Sequence, residues 1–193
     1  MALEWQKTPL LLGSQSPRRA DLLRSLGLQF RQMKADLDEN YPASLKAAEI
    51  AEYLASAKAD NLAPERKENE LLICSDTVVW NNNESLEKAR NRSEALAMLQ
   101  KLSGQEHEVI TAVCFIGPEG KHILSDRCSV RFKSLEKEEM EYYVDHYKPY
   151  DKAGAYGIQE WIGLSAIEAI HGSYFTVMGL PTHLIVDYLK KRL

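Results

Sequence analysis

The sequence predicts a mixed α/β fold, because short apolar segments of strand length alternate with longer segments that have helical periodicity. The chain has 193 residues, of which 45% are hydrophobic and 27% are charged, a balance typical of a globular protein. A chain of this length buries enough apolar surface to fold without disulfides or structural metals. We therefore expect one domain over residues 1–193, or two closely packed lobes within it.

In the first half of the chain, apolar runs predict strands and amphipathic runs predict helices. Pro17 is suited to the first turn of a helix, and Gly27 is suited to the position after its end. Ile50 and Leu54 lie on one face of the next predicted helix. The predicted strands or extended segments are 9–12, 28–34 and 71–75, and the predicted helices are 17–26 and 44–62.

In the second half, turn residues separate the predicted elements. Three asparagines at 81–83 indicate a hairpin-type turn, and Ser93 is the expected cap of a helix that Gly104 ends. Basic residues at the end of the last predicted helix interact favourably with the negative end of the helix dipole. The further predictions are strands at 107–116 and 121–132 around a turn at 117–120, a helix at 134–147, a glycine-rich loop at 148–163 and a helix at 181–192.

Composition and spacing exclude several function classes. The net charge of −4 argues against a surface for nucleic acid, and no apolar run approaches the roughly 20 residues of a membrane span. The three cysteines lack CxxC spacing, so we expect buried thiols. The histidines lack HxxxH or HExxH spacing, which disfavours a histidine-ligated metal. Glu4 and Lys7 interrupt the apolar start, so we expect a cytoplasmic protein.

The segment from Leu10 to Leu23 predicts an anion site. A strand, a Gly-Ser-Gln-Ser turn and the pair Ser16-Pro17 place a helix N-terminus, with its partial positive charge, directly after the turn. Arg18 and Arg19 oppose the helix dipole there, which favours a bound anion such as phosphate. The segment is neither a GxxxxGK[ST] loop nor a GxGxxG loop, and the chain has no GxSxG motif.

Carboxylates and lysines elsewhere complement this turn. Asp76 follows a buried apolar segment, where ligands of α/β folds gather, and Glu39 follows the second predicted strand. Lys58 lies in an alanine-rich helix, and Lys88 follows the predicted hairpin. Cations neutralise a triphosphate and carboxylates hold a divalent metal, so the set is consistent with metal-dependent phosphate chemistry.

The residues SQSPRRADLL at 14–23 resemble the signature of the Maf family of nucleoside triphosphate pyrophosphatases. The resemblance covers about residues 11–184, with order and spacing preserved. Its further matches are SDTVV at 75–79, EK at 87–88, LSG at 102–104, DKAGAYGIQ at 151–159, GSY at 172–174 and GLP at 179–181. Two positions depart from the usual family pattern: Ala89 replaces a proline and Glu160 replaces a glycine.

The resemblance implies a Maf/ITPase-like fold, a mixed β-sheet flanked by helices with an active-site cleft between two lobes. It implies hydrolysis of a nucleoside triphosphate to the monophosphate and pyrophosphate with Mg²⁺ or Mn²⁺, usually by a cytoplasmic homodimer. The DKAGAYGIQ stretch is similar to the branch that acts on dTTP and UTP. The sequence leaves open whether the substrate in the cell is a canonical or a modified pyrimidine triphosphate. A second function class remains open, a nucleotide-binding regulator of septation in which hydrolysis is incidental.

The resemblance also implies roles for individual residues. Asp76 is the implied proton acceptor for water, although a carboxylate beside a metal and several cations is a weak base and is equally suited to be a metal ligand. Glu39 is the expected second metal ligand. The expected triphosphate-binding residues are Ser14, Arg18, Arg19, Lys58 and Lys88, and the expected base-specificity residues are Arg18, Thr77 and Gln159.

Overall fold

In the computed structural model, which describes residues 2–192, the strands form one mixed β-sheet with helices around it, as predicted. The strand order is β2-β1-β3-β5-β6-β7, and β4 pairs with β3. β1 is parallel to β2 and β3, whereas the β3–β4 and β6–β7 pairs are antiparallel. The strands are β1 (Leu10–Gly13), β2 (Phe30–Met33), β3 (Leu71–Asn81), β4 (Glu84–Leu86), β5 (Glu106–Gly117), β6 (Gly120–Phe132) and β7 (Ile167–His171).

The helices fall between and after these strands, and two short 3-10 turns occur at Glu4–Lys7 and Ala63–Glu65. The described helices are α1 (Pro17–Ser25), α2 (Ala48–Leu62), α3 (Arg92–Leu102), α4 (Lys137–Tyr147), α5 (Trp161–Ala166), α6 (Tyr174–Val177) and α7 (Thr182–Lys191).

The chain divides into two compact units, and β3, β5 and β6 each pass from one unit into the other. The first unit comprises the chain up to Asp76, residues Thr111–Asp126 and the chain from Gly179 onward. The second comprises Thr77–Ile110 and Arg127–Met178. Each unit buries its own apolar side chains, which include residues of β1, α2 and β3 in the first and residues of α3, α4 and β6 in the second.

Most predicted elements are confirmed, but several boundaries move. The helix predicted from residue 44 begins at Ala48, because Ala47 has a positive φ of 48° that no α-helix continues. The strand predicted to end at residue 75 continues to Asn81. The cap of α3 is Asn91 rather than Ser93, since the Asn91 side chain accepts a hydrogen bond from the Glu94 amide at 2.9 Å. The helix predicted from residue 134 begins at Lys137.

The glycine-rich loop predicted at 148–163 is irregular only up to Glu160, and α5 begins at Trp161. The prediction of a loop was wrong for the last three residues, and β7 and α6 were not predicted. The three cysteines are buried thiols, as expected. No helix within residues 2–192 is long and apolar enough to span a membrane.

Candidate active site

The predicted anion turn lies between β1 and α1, beside the middle of β3. Gly13 pairs with Cys74 across the parallel β1–β3 ladder, so the turn and Asp76 lie at the same level of the sheet. A side chain at Gly13 is excluded, because a Cβ there would lie 2.3 Å from Cys74 Sγ and 2.7 Å from Leu62 Cδ1. This close approach explains why glycine ends β1. Pro17 then begins α1, as predicted.

Arg19 fastens this turn to two other segments of the first unit. Its Nε donates to the Gly179 carbonyl at 2.8 Å, and its Nη1 donates to the Ser75 carbonyl at 2.8 Å and to Ser14 Oγ at 3.3 Å. Ser14 Oγ also accepts from the Ser16 amide at 3.2 Å. The guanidinium therefore holds the shape of the turn in addition to supplying charge.

Burial lowers the pKa of Arg19 below the ordinary arginine value, while the negative charges of Asp76 and Glu39 act in the opposite direction. The positive charge of Arg18 also lowers the pKa of Arg19. The first turn of α1 thus places two arginines at a helix N-terminus. An anion there is stabilised by the arginine charges and by the helix dipole.

Lys58 reaches from α2 into the space between two carboxylates. Its ammonium is 2.6 Å from Glu39 Oε1 and donates a short hydrogen bond to Asp76 Oδ1. The side chains of Lys58 and Asp76 are both nearly buried, whereas that of Glu39 is 41% exposed. Three segments distant in sequence therefore converge on one charged cluster, Glu39–Lys58–Asp76.

The other predicted site residues belong to the second unit. Lys88 is exposed and forms an isolated antiparallel bridge with Ala153, at the start of the glycine-rich loop. Gln159 is exposed at the end of that loop, and Thr77 is partly exposed on β3. The structure thus groups Ser14, Arg19, Glu39, Lys58 and Asp76 within the first unit, and it joins Lys88 to the Gln159 loop within the second.

Comparison with known proteins identifies the family. The family described as Maf-like protein matches residues 9–192. The chain belongs to the Maf family. It is 47% identical over 186 residues to a dTTP/UTP pyrophosphatase of Flavobacterium psychrophilum, a match that covers 96% of this chain and 95% of that protein. It is 46% identical over 186 residues to a protein of the same name from Parabacteroides distasonis, covering 96% of each.

Among solved structures, the Ham1 protein of Staphylococcus aureus matches this Maf chain with a TM-score of 0.43 and 15% sequence identity. The match covers 64% of this chain and 71% of that one. Similarity at this level is too low for residues of the two sites to be paired.

Two carboxylates of this Maf chain have the geometry and chemistry to share a divalent cation. Glu39 and Asp76 both contact one ammonium group, so their oxygens converge on one point. Mg²⁺ and Mn²⁺ accept a small number of protein carboxylates together with water and phosphate oxygens. No cluster of three or more histidine, cysteine or acidic residues suited to a metal is found within residues 2–192.

Several contributors to the site carry no sequence signal. The Ser75 and Gly179 carbonyls accept from Arg19, and Gln32 Nε2 donates to the Ser14 carbonyl at 2.6 Å. Backbone acceptors are common to every residue, so they leave no trace in composition or spacing. The pairing of Lys58 with two carboxylates was likewise not predicted, since the sequence assigned this lysine to phosphate.

Proposed function

We propose that this Maf chain hydrolyses dTTP and UTP, or modified pyrimidine triphosphates, to the monophosphate and pyrophosphate. The observation that carries the proposal is the Glu39–Lys58–Asp76 cluster beside the Arg19-bound anion turn. The names of the relatives at 46–47% identity support the same activity. The reaction is attack of water on the α-phosphorus, with pyrophosphate as the leaving group.

Binding of the triphosphate is assigned to the cationic residues. Arg18 and the amides at the start of α1 are assigned to phosphate, because a helix N-terminus stabilises anions. The exposed Lys88 is assigned to phosphate as well. Arg19 keeps Ser14 and the turn in place through its hydrogen bonds. Phosphoryl transfer depends chiefly on such positioning and charge stabilisation.

A divalent cation, Mg²⁺ or Mn²⁺, is assigned to Glu39 and Asp76. When bound, it would neutralise phosphate charge and acidify a water molecule. Lys58 then has two kinds of acceptor available, because the phosphate oxygens offer the same charge-assisted hydrogen bonds that the carboxylates now accept. This reconciles the predicted phosphate-binding role of Lys58 with its position between two carboxylates.

Asp76 is the residue on which hydrolysis depends most. Its carboxylate is nearly buried and hydrogen-bonded to Lys58, so it is held in one orientation. Either role, that of proton acceptor or that of metal ligand, requires the ionised carboxylate. Replacement by asparagine removes the charge and keeps the shape under both roles.

Choice of base is assigned to Gln159, with Thr77 and Arg18. The glutamine amide offers a donor and an acceptor side by side, which match the O4 and N3–H edge of uracil and thymine. Cytosine presents the reverse pair, a donor at position 4 and an acceptor at N3, so the amide orientation that suits uracil leaves polar groups unpaired against cytosine. Gln159 is exposed at the end of its loop, where a ligand has access.

The proposal extends to a cytoplasmic homodimer, which follows from the family resemblance. The mass of the purified protein by light scattering tests the assembly: a dimer is expected, and a monomer at all concentrations would contradict it.

Pyrophosphate release from dTTP, UTP, CTP, ATP and GTP, each with Mg²⁺ or Mn²⁺, tests the activity itself. We expect dTTP and UTP to be hydrolysed fastest. The variant Asp187→Asn on the exposed face of α7 is a matched control that should keep the wild-type rate. Background rates with every nucleotide would contradict the proposal and favour a nucleotide-binding regulator.

A further inference from the structure

A buried hydrogen-bonded network in the second unit fixes the residue that follows Gln159. Tyr143 Oη of α4 donates a short hydrogen bond to Glu160 Oε2. Lys152 Nζ lies 3.0 Å from Glu160 Oε1 and 2.7 Å from Asp151 Oδ1. Lys152 and Tyr143 are buried, and Glu160 is only 19% exposed. Neither the predicted site nor the proposed reaction uses these residues.

The same network holds the glycine-rich loop. The Gly157 amide donates to Tyr143 Oη at 3.0 Å, so one hydroxyl joins the loop backbone to Glu160. Gly157 packs so closely that a Cβ there would lie 2.9 Å from Glu160 Cδ and 3.0 Å from Lys152 Cε. Burial and the bond to Glu160 raise the pKa of Tyr143, which keeps the hydroxyl protonated as a donor.

The other end of the loop is fastened to the segment that carries Lys88. The Gly154 amide donates to the Leu86 carbonyl at 2.9 Å and to the Glu87 carbonyl at 3.2 Å. Gly154 and Ala155 have φ values of 67° and 55°, a left-handed geometry that costs energy at the alanine and is held by its surroundings. The glycine-rich loop that ends at Gln159 is therefore fixed at both ends.

We propose that Glu160, held by Tyr143 and Lys152, is a positioning residue that aims Gln159 at the base and so sets the preference for uracil and thymine. The inference rests on the proposed function. A glutamine side chain adjacent to a fixed backbone loses little entropy on binding, whereas one on a loose loop loses more and accepts several bases. Glu160 also precedes α5 as its N-cap residue, which fixes the chain on the far side of Gln159.

The test is the ratio of kcat/KM for UTP to that for CTP in four variants. We expect Glu160→Ala to narrow the ratio about tenfold, equal to about 1.4 kcal/mol, mainly through a higher KM for UTP. Glu160→Gln retains an acceptor for Tyr143 and should recover part of the ratio. Tyr143→Phe removes one hydroxyl and should narrow the ratio less. Glu168→Ala, an exposed carboxylate paired with Arg131 in the same unit, is the control.

The outcomes separate positioning from a general structural role. A structural role predicts a lower melting temperature and equal losses for UTP and CTP, and an unchanged ratio in folded Glu160→Ala and Tyr143→Phe would overturn the inference. If Glu160→Ala does not fold, Glu160→Gln and Tyr143→Phe decide in the same way. Failure of the wild-type protein to prefer UTP would instead contradict the proposed function, and the inference would fall with it.

Discussion

Each unit contains a buried lysine between two carboxylates. The two clusters differ in the sequence separation and the exposure of those carboxylates. Lys58 lies between Glu39 and Asp76, which are both distant from it in sequence. The Glu39 side chain is 41% exposed. Lys152 lies between Asp151 and Glu160, its near neighbours in sequence.

The difference lies in the remaining partners of each carboxylate. Glu160 also accepts from Tyr143, and Gly157 packs against it, so the Lys152 cluster is fixed by surrounding contacts. The Lys58 cluster instead lies beside the anion turn, and the carboxylate of its member Glu39 is exposed. We infer that the first cluster exchanges partners during the reaction, and that the second holds the loop that reads the base.

The largest expected effect is that of Asp76→Asn, which tests whether the first cluster performs the chemistry. We expect kcat to fall about 10²–10⁴-fold, the usual contribution of a positioned acid–base group. Nucleotide binding should persist, because the cations of the anion turn remain. Steady-state kinetics and calorimetric titration with UTP measure both effects. A near-normal kcat would remove Asp76 from the mechanism.

Replacement of each lysine by methionine sharpens the comparison. Lys58→Met should lower kcat about 10²–10³-fold, the cost of losing one electrostatic donor, and it should also lower stability, because the nearly buried Asp76 carboxylate loses its ammonium partner. Lys152→Met should reduce the free energy of unfolding by about 2–3 kcal/mol, below the range for a fully buried pair because Asp151 is exposed.

Denaturant unfolding and turnover of the two methionine variants, measured side by side, give the answer. Equal losses of stability and of kcat in both variants would show that the two clusters have the same role.

Acid should destabilise the second unit through His107. Burial lowers the pKa of this imidazole to about 4, and its Nε2 is 2.8 Å from Tyr156 Oη between aromatic rings. The unfolded chain, with a histidine pKa of about 6.5, binds more protons below that pH. The contribution of neutral His107 to the free energy of unfolding is complete above about pH 6.5. It falls by about 3 kcal/mol in total as the pH approaches 4.

The measurement is denaturant unfolding at several pH values between 7 and 5, where most carboxylates stay ionised. His107→Gln should lose this pH dependence, and exposed His171→Gln should keep it. If the free energy of unfolding of His107→Gln depends on pH as steeply as that of the wild-type protein, other groups cause the dependence.

A smaller effect is expected for Gln159→Ala, which tests base reading directly. The KM for dTTP and UTP should rise and their advantage over CTP should narrow about tenfold, as expected when one polar match is lost. Substrate kinetics with the exposed control Gln105→Ala measure it. An unchanged substrate ranking would show that the base is read elsewhere.

The sequence predicted the strand–turn–helix geometry of the first loop well, because Ser14, Pro17 and Arg19 lie in one segment whose geometry is local. It did not predict the partners of Lys58, since these depend on the parallel β1–β3 pairing that brings Asp76 beside the turn. Tertiary pairing of this kind leaves no periodicity to detect.

The end of the glycine-rich loop was predicted less well for a different reason. Helix α5 has six residues, β7 five and α6 four, which are too short for a helical or strand period to be recognised. The network of Tyr143 with Glu160 joins segments 17 residues apart and was not visible in spacing. Only the unusual glutamate after Gln159 marked the position.

Hydrolysis of UTP in H₂¹⁸O, followed by ³¹P NMR, tests the central claim most directly, because it locates the bond that water breaks. Attack on the α-phosphorus predicts UMP and pyrophosphate as products, with the ¹⁸O label in UMP and the ordinary isotope in pyrophosphate. Label in pyrophosphate would place the attack on the β-phosphorus. Release of UDP and phosphate, or no turnover at all, would contradict the proposed reaction.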